Sequence, residues 1–275
     1  MTELCQLSFG TLVRCGECGL IRVFPPRSSQ QLVAVHSRSE FFHHRYFETR
    51  RDLGQSSLVA QHCALLSHLT DGLTVNGARL LDVGCDTGSL MTVARDKFGM
   101  DVMGVEILEE AAHIARQQHG LDVVVGQLDE LELPAAGFDL ITLVDVIEHA
   151  ADPEALLNEV ARLLRTGGRV YIETSNGDAL MYSMGLSLHQ VASSWSKGLL
   201  ERLFAPYHEF YFNQSTLARL VERSGLRVRH HVGREMSLDD FGARLALKAA
   251  LAPIMLLQRL TSRPTLQEMT AVKEG

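Results

Sequence analysis

The sequence contains no long run of Lys or Arg, and its 275 residues carry a net charge of −7. Neutralising nucleic-acid phosphates takes clustered cations, so no nucleic-acid partner is expected. No basic-then-apolar leader stands at the N-terminus. The longest apolar stretch, Leu251 to Leu257, falls far short of the ~20 residues that span a bilayer, so no transmembrane segment is expected. Five cysteines, Cys5, Cys15, Cys18, Cys63 and Cys85, are an odd number without framework spacing. They suggest free thiols in a reducing, cytoplasmic setting. Internal repeats and low-complexity tracts are lacking, and no feature assigns an oligomeric state.

What is there is apolar enough for a large core, with 46% of residues hydrophobic. Residues 1–51 read as a polar and aromatic lead-in containing "RCGECGL", Pro25-Pro26 and "EFFHHRYFE". From about Leu53 helices and strands alternate. "SSLVAQHCALLSHL" puts Leu58, Val59, Cys63, Leu66 and Leu69 on one helical face. Strands are expected at Arg79–Val83, "DVMGVEI", "DVVVG", "FDLITLVDV" and "RVYIET", and helices at Ser89–Phe98 and Glu109–His119, stopped by Gly99 and Gly120. Asp152-Pro153-Glu154 starts a further helix, with an N-cap carboxylate and Pro in the first turn; Gly167-Gly168 is expected to stop it. Nearly all-apolar strands alternating with helices form a parallel sheet covered on both faces, whose ligands sit at the strands' carboxyl ends. Residues 177–212 then read as a long connection. A helix at 214–224, the strand "RVRHHV", a helical segment broken by Pro253 and a last edge strand "EMTAVK" follow.

The loop "LDVGCDTGS" spans Leu81 to Ser89. Its spacing is D-x-G-x-x-x-G, with Asp82 before Gly84 and Gly88, and differs from the dinucleotide pattern G-x-G-x-x-G. Glycine lets backbone amides approach a ligand, and the helix beyond adds a partly positive end. Glu106 closes the next strand at the usual distance for gripping ribose hydroxyls. Asp86 is the odd residue in the turn. Asp tolerates left-handed backbone better than most residues, so the turn survives it, and its carboxylate could meet a cationic ligand group. The competing reading is a generic tight turn.

"LLDVGCDTGSL", "GVEI", "GQLDELELPAAGFDLITLVDVIEHAADPEALLNEVARLLRTGGRVYIETSN" and "HEFYFNQSTLARLVERSGL" together resemble class I S-adenosylmethionine-dependent methyltransferases, in the family's motif order, from about Arg79 to Val232. The resemblance implies an α/β, Rossmann-like fold: a seven-stranded, mostly parallel sheet with one antiparallel edge strand and helices on both faces. Here it would carry a small N-terminal appendage and a C-terminal helical cap. It also implies roles. Asp82, Gly84, Cys85 (through its backbone), Asp86 and Gly88 would line the methionine half of the cofactor. Glu106 and Ile107 would hold the ribose, with Gln127 and Leu128 at the adenine; the family often has Asp in place of Gln127. Val144 and Asp145 would close the pocket under the sulfonium.

The lead-in "LVRCGECGLIRVFPPRSSQQL" resembles half of a small zinc ribbon attached to some of these enzymes. A tetrahedral zinc site wants two Cys pairs. Here Cys15 and Cys18 are kept, Cys5 stands alone, and His36 is a candidate fourth ligand; the alternative is a metal-free relic covering the substrate side. In "DVIEHAADP", His149 is the first candidate base near the transferring methyl, and His208 of "PYHEFYF" the second. Asp145, Glu148 and His149 also resemble a divalent-cation site of ubiquinone-pathway O-methyltransferases; otherwise Glu148 and His149 simply orient the loop. His43-His44 and His230-His231 are adjacent pairs that would face opposite sides of a strand and not chelate together. Cys63 is expected in the core. The segment "FGARLALKAALAPIMLLQRL" fits a lid, a packing helix or a peripheral lipid contact.

The organisation expected is a ribbon-like segment over 1–51 and a methyltransferase domain over 52–275, with acceptor-side insertions at 177–212 and 238–262. The function expected is methyl transfer from S-adenosylmethionine to a small-molecule acceptor, O more than C or N: a sugar, a phenolic or polyketide scaffold, or a lipid-linked compound. The rivals are a catalytically silent partner protein with this fold and an NAD-dependent oxidoreductase.

Overall fold

The computed structural model describes residues 1–36, 56–235 and 245–275. The segment "EFFHHRYFE" with His43 and His44, the boundary at 51/52 and the start of the expected cap at 238 lie outside the described residues. Strands β1 (Thr2–Leu7), β2 (Gly10–Arg14) and β3 (Ile21–Phe24) form an antiparallel meander. The first 24 residues of the polar, aromatic and ribbon-like lead-in thus form antiparallel sheet. Helix α1 (Ser29–His36) follows. Its start is a reciprocal cap: Ser28 N–H donates to Gln31 Oε1 at 2.8 Å, and Gln31 N–H donates to Ser28 Oγ at 3.3 Å.

Helix α2 (Ser56–Leu69) leads into the main layer. There β4 (Arg79–Val83), α3 (Ser89–Phe98), β5 (Asp101–Glu106), α4 (Glu109–His119), β6 (Asp122–Val125), β7 (Phe138–Val144), α5 (Pro153–Leu163) and β8 (Leu164–Ser175) alternate as expected. Asp152 caps α5 by accepting N–H donors from Glu154 and Ala155, both at 3.0 Å. Gly167 and Gly168 do not stop that helix; they lie inside β8. The helix ends because Leu164 is extended and pairs with Phe138. A Cβ on Gly168 would stand 3.0 Å from the Asp139 carbonyl oxygen, so glycine serves the close approach of the neighbouring strand.

The expected connection at 177–212 contains two helices, α6 (Leu180–Val191) and α7 (Ser193–Leu203), then the short strand β9 (Phe210–Tyr211). Gly185 allows the two helices to close, since a Cβ there would lie 2.6 Å from Leu203 Cδ1. Helix α8 (Gln214–Arg223), with an Asn213–Thr216 capping box, strand β10 (Leu226–Arg234), helix α9 (Leu245–Leu260), which carries Pro253 internally, and β11 (Leu266–Lys273) complete the chain.

The large sheet has the order β10-β11-β8-β7-β4-β5-β6. Strand β11 runs antiparallel to both neighbours and lies one place in from the edge, which corrects the edge position expected for it. Its mostly buried pattern explains the position: an inserted strand has both faces covered. Period-two geometry sends adjacent residues to opposite faces. Leu81, Ile141 and Ile172 pack with Leu157 and Val160 of α5 and Leu217 of α8. Leu80, Leu140 and Tyr171 pack with Leu66 and Leu69 of α2 and Leu90 of α3, and partly buried Cys63 rests against this second cluster.

The small sheet, β1-β2-β3-β9, is tied to the large one. Ile21 pairs with Tyr211 and Arg22 with Phe210. Cys5, Leu7, Leu12 and Ile21 share an apolar cluster with Tyr182 of α6 and Leu200 of α7. Gly177 N–H donates to the Phe212 carbonyl at 2.7 Å, and a Cβ at Gly177 would fall 2.4 Å from the Tyr211 carbonyl oxygen. Because that obstacle is backbone, Gly177→Ala is expected to lower stability by about 1–3 kcal/mol, read from a urea unfolding midpoint. An unchanged midpoint would show that the 211–212 peptide has room to move.

Candidate active site

A cavity of about 260 Å³ opens at the carboxyl ends of β4, β5, β6 and β7. Its floor is the turn after β4. Gly84 has φ 71°, and a Cβ there would strike Val146 Cγ2 at 2.5 Å. Gly88 has φ 84°, and a Cβ there would meet Leu121 Cδ1 at 2.2 Å. Between them Asp86 takes φ 47°, a left-handed conformation Asp accommodates better than most side chains. Asp86 N–H donates to Glu106 Oε2 and Leu108 N–H to Glu106 Oε1, each at 2.9 Å. Asp82 accepts a hydrogen bond from Thr142 Oγ1 at 2.6 Å. Burial pushes both acids up to about 7, against the hydrogen bonds that favour their ionised forms.

The cavity's other end is built on the 3₁₀ turn Ile147–His149 after β7. His149 Nδ1 lies 2.9 Å from the Tyr207 carbonyl oxygen. A carbonyl only accepts, so Nδ1 carries the proton and Nε2 keeps the lone pair. The His149 ring meets His36 and His208, each at a centroid distance of 4.8 Å. Burial holds His149 well below the ordinary imidazole value and His208 down to about 3, with the neighbouring imidazoles adding to both shifts. Glu148 is 1% exposed, its Oε2 has no partner among the described residues, and burial with the Asp145 charge pushes it up to about 8. Ligand-capable atoms of Glu148, His149 and His208 lie within 4.8 Å of one another. Among the described residues this grouping takes in His208 and leaves out Asp145, which the expected set named.

The sequence profile of the methyltransferase-domain family matches residues 43–231. The chain belongs to the class I S-adenosylmethionine-dependent methyltransferases. It is 30% identical over 163 residues to a ubiquinone biosynthesis O-methyltransferase of Xanthomonas oryzae, covering 57% of this chain and 66% of that protein. A Coxiella burnetii protein of the same description is 29% identical over 168 residues, covering 59% of this chain and 69% of its own. Among solved structures, Haemonchus contortus phosphoethanolamine N-methyltransferase 2 in complex with S-adenosyl-L-methionine superposes with TM-score 0.62 at 18% identity, over 89% of this chain and 60% of that one. A Thermotoga maritima methyltransferase gives TM-score 0.57 at 17% identity, over 88% and 99%. At such identities the structures speak for the fold alone.

The cavity at the strand ends brings together most of the residues expected to bind a cofactor. Asp82, Gly84, Cys85, Asp86, Glu106, Ile107, Gln127, Leu128, Val144, Asp145 and His149 line it; Gly88 shapes the turn without lining it, and His208 stands behind His149. Cys85 turns its thiol away, against Gly104, where a Cβ would come within 2.6 Å of Sγ. Cys15 and Cys18 lie within hydrogen-bonding reach of each other, but among the described residues Cys5 does not join them in a group of three possible ligands, and Cys5 is packed in the apolar cluster. Strand alternation in β1 points Cys5 inward. His36 lines the cavity at the strand ends. His231 bonds Gln267 at 3.0 Å while His230 meets His68, so that pair diverges as expected.

Sequence reasoning missed Leu32, Val33 and His36 of α1 and His62 of α2, all lining the cavity. For His62 a signal existed: it is spaced four residues from both Leu58 and Leu66, on the apolar face. Helix α1 is too short and weakly patterned to announce itself. Among the described residues, none of 177–212 lines the cavity; that segment touches the site through the Tyr207 carbonyl, the His208 ring and the Glu209 N–H.

The glycine cradle and the buried acids fit a cationic cofactor bearing a ribose diol. Ionised Glu106 is the better acceptor of ribose hydroxyls, and Glu106 titrates near 7. Affinity for S-adenosylmethionine is therefore expected to be highest above pH 7 and to fall by up to about tenfold per unit below it. Calorimetry at pH 6 and pH 8 reads this. Glu106→Gln should bind weakly with a shallower slope, and a flat profile in the unmodified protein would contradict the role.

Proposed function

We propose that this chain transfers a methyl group from S-adenosylmethionine to a hydroxyl oxygen of a small-molecule acceptor, with His149 as general base. Gly84 and Gly88 would admit the methionine half of the cofactor, Asp82 and Asp86 would offer carboxylates to its ammonium group, and Glu106 with Ile107 would hold the ribose. Gln127 and Leu128 would flank the adenine, and Val144 and Asp145 would lie under the sulfonium. When bound, the cofactor supplies an electrophilic methyl carbon. The protein's part is orientation, water exclusion and deprotonation.

The observation that carries the reading is the His149 tautomer. Its Nδ1–H is committed to the Tyr207 carbonyl at 2.9 Å, so Nε2 is the atom available to take a hydroxyl proton. Burial among neutral imidazoles keeps it unprotonated at neutral pH. His208 does not line the cavity and serves as packing behind His149. Leu32, Val33, Val146 and Leu156 give the cavity apolar walls, which favour a hydroxyl on a flat apolar scaffold, phenolic or polyketide-like, over a sugar. O-methylation also agrees with the description of the Xanthomonas and Coxiella relatives. The five free thiols agree with a reducing cytoplasm. Among the described residues, no helix is long and apolar enough to cross a membrane.

A screen of phenolic acceptors with radiolabelled methyl donor tests the proposal. His149→Gln should lower transfer by about 10²–10⁴-fold while cofactor affinity is kept. Transfer surviving in that variant would remove His149 as base, and no transfer by the unmodified protein to any acceptor would favour a silent partner protein.

The grouping of Glu148, His149 and His208 favours a second reading, a divalent cation that acidifies the acceptor hydroxyl. Chelation separates the two. Treatment with EDTA is expected to leave transfer intact, and a loss reversed by added Mg²⁺ or Zn²⁺ would favour the cation.

A further inference from the structure

We propose that Arg27, held by Glu209, is a positioning residue that sets which nitrogen of His149 carries the hydrogen. The proposal rests on the reading of His149 as base. Arg27 lies between β3 and α1, and its side chain is 15% exposed against 1% for Glu209. Arg27 Nε donates to Glu209 Oε1, and the Arg27 backbone N–H donates to Glu209 Oε2 at 3.2 Å. The other two guanidinium nitrogens donate to backbone carbonyls, Nη1 to Pro206 at 2.6 Å and Nη2 to His208 at 3.4 Å. One guanidinium therefore grips the peptide on both sides of Tyr207. The Tyr207 carbonyl between those grips is the acceptor of His149 Nδ1–H.

Glu209 closes the arrangement. Its N–H donates to the Glu148 carbonyl at 2.8 Å, and its own carbonyl accepts Val23 N–H at 3.0 Å. The 206–209 peptide is thus tied to the His149 turn on one side and to the N-terminal sheet on the other. An imidazole with no fixed acceptor populates both neutral tautomers. A mobile Tyr207 carbonyl would release that choice and let Nε2 carry hydrogen, where it cannot accept the acceptor's proton. A planar fork is required for the grip, because a lysine ammonium on a flexible stem does not present donors in three fixed directions.

The full chain labelled with ¹⁵N at histidine, at pH 8 with S-adenosylhomocysteine, gives the readout through long-range ¹H–¹⁵N correlations. The His149 signals are identified by their loss in His149→Gln. The unmodified protein should show hydrogen on Nδ1. In Arg27→Met the tautomer ratio should move about tenfold toward Nε2–H, the value of one lost hydrogen-bonding constraint. Arg27→Lys should not restore the wild-type ratio. S-adenosylhomocysteine affinity, set at the other end of the cavity, should stay within about twofold. Retention of the Nδ1–H tautomer in both Arg27 variants overturns the proposal. If Arg27→Met does not fold, Arg27→Lys and Glu209→Gln carry the same readout. Survival of methyl transfer in His149→Gln would defeat the base assignment and leave the tautomer result standing, so the two failures are distinct.

Discussion

Three carboxylates, Asp82, Glu106 and Glu148, are buried at or just beyond the carboxyl ends of parallel strands, with the Asp145 charge beside Glu148. Burying acids near one another is costly, and here it drives their titration up to about 7 or 8. Thr142 Oγ1 and the amides of Asp86 and Leu108 offset part of that cost. A cationic ligand with hydroxyl donors offsets more, and it does so only in the folded protein. The strained turn serves the same end. Left-handed conformations at Gly84, Asp86 and Gly88 bring backbone and acid to the cavity together.

The histidine end of the cavity obeys a different constraint. Its histidines are buried near one another, so they persist as neutral rings and each needs a fixed hydrogen-bond acceptor. His149 finds one in Tyr207 and His36 finds one in Leu32, at 2.9 and 2.7 Å. Both acceptors are main-chain carbonyls, so backbone position decides side-chain chemistry. The N-terminal sheet supplies that position. Its pairing of β3 with β9 and the Arg27–Glu209 contact hold α1 against the cavity, which Leu32, Val33 and His36 line.

Much of this was legible beforehand for a definite reason. The parallel strands are apolar runs ended by acids, and the helices begin at Asp152 and stop at Gly99 and Gly120, all local signals. The cofactor half of the cavity follows because consecutive strands place their terminal residues side by side. Helices α6 and α7 were not legible. Met184 and Val191 are exposed apolar residues that blur the face of α6, and its buried face, which includes Tyr182 and Gly185, is satisfied by α7 and a sheet distant in sequence. The inserted position of β11 was likewise hidden, because strand order depends on pairing between segments far apart.

By itself the sequence determined the alternating layer, the glycine turn around Asp86 and the acids that end β4 and β5. These depend on residues within a few positions of one another, where periodicity and turn preference act. The tertiary structure decided the rest. It put Cys5 in an apolar cluster, set His36 and His208 against His149, and brought Arg27 to Glu209 across a separation of 182 residues. Contacts of that range come from packing two sheets together, and no local pattern encodes which loops then meet.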